Sequence, residues 1–221
     1  MTDVDGSTAN PVGERRWPMA AAVLTAVVLQ VILPRRVATP IYLLFPLMEL
    51  GMLAALIIGD PGRIDQRSTT LRRLTILLIA VMTLANTLSA VILIQDIIQG
   101  DQLRFEVLLG RGASIWVTNV IVFSLWFWEF DRGGPVERAR RTGIPAAFIF
   151  PEETLPEREG PAWEPSYPDY LFLAFTNSTA FSPTDTLPIA TWAKMTMMLQ
   201  AGISLTVAIL VVARAVNILP G

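Results

Sequence analysis

Any chemistry this chain performs falls to carboxylates and hydroxyls, because its 221 residues include no histidine and no cysteine. That removes imidazole bases, Ser-His-Asp triads, thiolate nucleophiles, disulfides, iron–sulfur clusters and most transition-metal sites. No catalytic residue, metal or cofactor is expected, and no enzyme activity. Two groups of polar side chains stand out by their position. Thr179, Ser182, Thr184 and Asp185 crowd into one short stretch behind an apolar segment, while Glu49 and Asn86 sit inside otherwise apolar runs.

Three hydroxyls and one carboxylate suit the lining of a narrow path for partly hydrated cations. The same stretch also reads as a capped helix end, with Ser182 or Thr184 and Asp185 satisfying the open amides that begin the next helix. Glu49 lies ten residues from either end of its apolar run, a depth at which a carboxylate is costly unless neutral or partnered. It precedes Asp60 by 11 residues and Asn86 follows Arg73 by 13, so an antiparallel hairpin would hold the two at nearly one depth. The pair is expected to form an interhelical hydrogen bond worth about 1 kcal/mol, or to act as a proton or cation relay.

The elements that position these residues are long and apolar. Hydrophobic residues make up 52% of the chain and charged ones only 16%, bunched into runs rather than spread periodically. A hydrocarbon core needs roughly 20 apolar residues per helix. The runs therefore predict an all-α, polytopic membrane protein with five transmembrane helices over about 17–34, 39–59, 74–98, 113–130 and 189–219. Residues 169–182 are apolar for about three helical turns and then stop at Ser182-Pro183, which predicts a re-entrant half-helix. Residues 1–14 read as a disordered polar tail, and 15–221 as one transmembrane domain with a loop at 131–167. Within that loop GIPAAFIFP is apolar but too short to cross, so it should lie at the interface or pack under the loop. The tryptophans mostly flank the apolar runs, as an interfacial belt does.

A net charge of −2 offers no basic field for nucleic acid, and the expected partners are the lipid bilayer, further copies of the chain and monovalent cations. Eleven arginines (Arg15, Arg16, Arg63, Arg67, Arg72, Arg73, Arg132, Arg138, Arg140, Arg141, Arg158) would share the side of the N-terminus, against four (Arg35, Arg36, Arg104, Arg111) on the other. The bias predicts a multi-pass protein of the inner cell membrane with a cytoplasmic N-terminus.

The order FIFP, PDYLFLAFTNSTAFSPTD and WAKMTMMLQAGISLTVAILVVARAVNIL resembles the C-terminal half of the DUF1345 family of uncharacterised bacterial membrane proteins. Asp185, Val216 and Asn217 occupy the matching places of its Ser-Asp segment and its closing Val-Asn pair, and the resemblance implies no known activity. More loosely, a short aromatic helix followed by residues 179–185 and a glycine-containing last helix is similar to the pore module of tetrameric potassium channels. That likeness implies Thr179 at the filter threonine, Asp185 at the closing aspartate and Gly202 near the inner-helix hinge. The filter glycines are replaced here by Phe181-Ser182-Pro183-Thr184, so successive carbonyls cannot readily turn toward a bare ion.

Overall fold

The computed structural model describes residues 13–32, 43–64, 68–100, 104–155, 163–179 and 186–218. Among them seven α-helices carry the fold: α1 (Trp17–Ile32), α2 (Leu44–Gly59), α3 (Thr69–Ile98), α4 (Phe105–Phe130), α5 (Pro135–Ala139), α6 (Tyr167–Thr179) and α7 (Thr191–Ile218). Three of these, α3, α4 and α7, are long and apolar enough to cross a membrane, while α1 and α2 are shorter apolar helices.

Helix boundaries depart from the hydropathy reading where polar residues extend a helix. α3 starts at Thr69 rather than at 74, because the Ser68 hydroxyl accepts the Leu71 amide at 3.3 Å and so caps a polar first turn. α4 starts at Phe105 rather than at 113, and this early stretch carries Arg111, which binds Asp96 of α3 at 2.7 Å. Arg111, which the hydropathy reading left ahead of the run at 113–130, is thus a helical residue paired with α3.

α4 is the central element, with α1, α3, α6 and α7 packed around it. Its residues from Thr118 to Leu125 are all buried, as expected of a helix surrounded on every side. Gly112 admits α7 closely: a Cβ there would stand 2.7 Å from a Val211 methyl.

One end of the bundle gathers the polar connections. A two-residue antiparallel ladder pairs β1 (Glu14–Arg15) with β2 (Arg63–Ile64), with Glu14 opposite Ile64 and Arg15 opposite Arg63. A second pairs β3 (Phe148–Ile149) with β4 (Leu187–Pro188), which draws the apolar GIPAAFIFP segment against the entrance of α7. Ala147, Phe148 and Phe150 are buried there, so the segment packs under the loop.

Glu14, which the sequence assigned to the polar tail, is built into this end. Its carboxylate accepts from the Trp128 indole at 2.8 Å and from the Tyr167 amide, and stands 3.6 Å from the Arg138 guanidinium. Burial pushes its pKa up, opposed by Arg138, Trp128 and Tyr167. Trp128 is only 1% exposed and stands edge-on to Tyr167, so it belongs to the core rather than to an interfacial belt.

A buried ion pair at this end joins Arg16 to Asp60. The guanidinium donates to the Asp60 carboxylate at 2.9 Å and to its backbone carbonyl at 2.8 Å, and both residues are buried. Arg16→Ala should lose about 3 kcal/mol by stranding a buried carboxylate, whereas Arg16→Met combined with Asp60→Leu should lose less. Denaturant titration of the wild type and the two variants checks the order; a double variant no more stable than the single one would contradict it.

Candidate functional site

α6 begins with a local cap. Asp169 folds back over the first turn of α6, its carboxylate accepting from the Ser166 amide at 2.7 Å and the Ser166 hydroxyl at 2.9 Å, which is the reach of a capping box. Pro168 sits in the same turn, where its missing N–H costs nothing. α6 then runs for 13 residues to Thr179, about 20 Å at 1.5 Å per residue.

Its far end is held by uncharged polar side chains. Asn177 donates its amide to the Met197 carbonyl and to the Gln200 side-chain oxygen, both at 2.9 Å. Gln200 returns its own amide to the Ala174 carbonyl at 2.8 Å and to the Ser178 hydroxyl at 2.9 Å. Ser204 donates to Ser178 at 3.1 Å. From α4, Asn119 donates to Ser204 at 2.9 Å and to the Gln200 carbonyl at 3.3 Å. Asn119, Asn177, Gln200 and Ser204 are all buried.

The cluster also sets the depth of the α6 tip. Gln200 and Ser204 lie nine and thirteen residues into α7, about 14 and 20 Å from its start. Asn119 lies at the middle of α4. Amides and hydroxyls at that depth satisfy one another without the desolvation cost of a charge.

Thr179, the first pore-lining candidate, is exposed at the end of α6, and its hydroxyl donates back to the Phe175 carbonyl at 3.0 Å. Ser182, Thr184 and Asp185 lie outside the described residues. Gly202 is exposed, with no atom within 4 Å of where its Cβ would stand, and α7 runs as one helix through it. The expected hinge thus faces away from the polar cluster that Gln200 and Ser204 form.

The expected Glu49–Asn86 pair is corrected. Glu49 is 0% exposed, and its two oxygens accept from the Gln30 amide of α1 at 3.2 and 3.0 Å. Asn86 is buried on α3 without a hydrogen bond to Glu49. Because α3 begins at Thr69, Asn86 lies seventeen residues from the end where the hairpin joins, while Glu49 lies ten from Gly59. The difference of seven residues is about 10 Å of rise.

Sequence reasoning therefore missed Gln30, Asn119, Gln200 and Ser204. The available signal was that of Glu49 and Asn86: a polar residue inside an apolar run, with Gln200 and Ser204 spaced one turn apart on one face.

No family model matches this chain, and no curated protein or solved structure matches it.

Gln200 ties Asn177 and Ser178 to α7, so Gln200→Leu should lose about 2 to 3 kcal/mol by leaving them without that partner. Gln30→Leu should also destabilise, by about 1 to 3 kcal/mol through stranding Glu49, and by more than Asn86→Leu does. Unfolding midpoints of the three variants in one detergent check both; an Asn86→Leu cost equal to that of Gln30→Leu would restore Asn86 as the partner.

Proposed function

We propose that the chain is a multi-pass protein of the inner cell membrane, crossing it with α1, α2, α3, α4 and α7. In this reading α6 is a re-entrant half-helix, and copies of the chain assemble so that the residues after α6 border a path for monovalent cations. The observation that carries the reading is the depth of the α6 tip, which stops beside Ser204 in the middle of α7.

Three further features support it. The C-terminal end of a helix is its negative end, and α6 aims that end into the bundle, which favours cations there. Phe172, Phe175 and Thr179 form one exposed stripe on α6, available to a second copy. The segment that follows supplies Ser182, Thr184 and the single carboxylate of Asp185. The likeness to the DUF1345 family accords with this reading and adds no activity to it.

A non-conducting scaffold is the second reading, favoured by the bonds through which Asn177 and Ser178 tie α6 to the α7 of its own chain. Orientation follows the arginine bias. The N-terminal end of α1 and the entrances of α6 and α7 share one end of the bundle with Arg16, Arg72 and Arg138, and that end is assigned to the cytoplasm.

Asp185→Asn should reduce cation flux into vesicles holding the reconstituted protein while leaving it folded, and wild-type flux should discriminate poorly between potassium and sodium. Unchanged flux in Asp185→Asn would leave Asp185 as a helix cap alone, and absence of cation flux with the wild-type oligomer would leave the scaffold reading standing. A C-terminal reporter should be inactive if it works only in the cytoplasm; activity would reverse the orientation.

A further inference from the structure

A cavity of about 250 Å³ opens at the polar end of the bundle, between the end of α2, the first turns of α3, the end of α4 and the start of α5. Its floor is apolar, with Leu56 and Trp128 fully buried. Gly134 closes one side with φ +95°, and a Cβ there would meet the Glu129 carbonyl oxygen at 2.9 Å, so the wall is shaped by a glycine that no other residue replaces without strain. The cavity is not part of the α6 site.

Its charges are arranged in depth. Arg16 and Asp60 neutralise each other in the wall at 2.9 Å. Glu129 lies deep, its side chain 3% exposed, and one of its oxygens accepts from Arg72 at 3.2 Å. Arg72 itself is half-exposed at the mouth, near Thr69 and Glu137. Two arginines against three carboxylates leave the lining at 2 − 3 = −1, which disfavours a simple anion. Thr75 donates its hydroxyl to the Leu71 carbonyl at 3.1 Å and keeps its lone pairs for a donor in the cavity.

A ligand matching this order has a compact cation with N–H donors that reaches inward and an anionic group that stays at the mouth. We propose that the cavity binds the headgroup of a membrane lipid with a primary ammonium and a phosphodiester, of the phosphoethanolamine type. The ammonium donates to Glu129 and Thr75, and the phosphate meets Arg72 and the Thr69 hydroxyl. A trimethylammonium has no N–H to give Glu129, and an uncharged glycerol head carries no cation for it. A lipid rather than a soluble ester is assigned because the cavity is built from helix ends, and helix ends of spanning segments lie among headgroups. The proposal rests on α3 and α4 crossing the membrane and not on conduction, so it stands or falls separately from the pore.

The test is the melting temperature of delipidated full-length protein in detergent on addition of phosphatidylethanolamine, phosphatidylcholine, phosphatidylglycerol or soluble phosphoethanolamine. Phosphatidylethanolamine should raise it by about 3 °C or more, and the other three should not. Glu129→Gln and Thr69→Trp, the latter plugging the mouth from an exposed position, should each remove that increment whatever their own starting temperature. Equal increments from all three lipids, no increment from any, or a full increment retained in both variants would overturn the proposal. Soluble phosphoethanolamine acting as strongly as the lipid would overturn the assignment to a lipid.

Discussion

A polar group buried among apolar side chains has no water to turn to, and each one left alone costs more than a hydrogen bond returns. That constraint organises this molecule from the middle outward. At the centre the side chains that tie α4, α6 and α7 together are amides and hydroxyls, Asn119, Asn177, Ser178, Gln200 and Ser204, and each finds its partner on a neighbouring helix. α6 buries Tyr167, Tyr170, Leu173 and Ala174, and these bonds together with that packing on α4 and α7 determine where it stops.

Charge is pushed toward the ends of the helices. Arg16 with Asp60 and Arg72 with Glu129 close one end, and Asp96 with Arg111 closes the other. At the first end the joins also tie distant parts of the chain: Glu14 reaches Trp128 and Tyr167, and β3 meets β4 beneath the loop. The α6 entrance is thus fixed by aromatic packing and ion pairs, its tip by neutral hydrogen bonds. Glu49 follows the same rule, five residues into α2 and held by Gln30 two residues before the end of α1.

The apolar runs made the helical class legible in the sequence, and the short apolar stretch within 169–182 made α6 legible as a short helix. Hydropathy missed the polar first turn of α3 and the Arg111 turn of α4, because a capped or ion-paired turn is helical without being apolar. That error of five residues at Thr69 carried through to Asn86, whose expected depth and partner were both displaced. The cluster around Gln200 was hidden for another reason. Its members come from three helices, and no spacing within one segment reveals that Asn119 meets Ser204.

A cation path requires that the tip of α6 border water at the depth of mid-membrane. The chain has no cysteine, so single cysteines can be placed without removing any native one. Rates of labelling by a membrane-impermeant thiol reagent, measured for Thr179→Cys and for the exposed α7 position Leu205→Cys in reconstituted protein, read that contact with water directly. Labelling should be rapid at 179 and absent at 205. A Thr179→Cys protein as inert as Leu205→Cys would contradict a water-bordered tip.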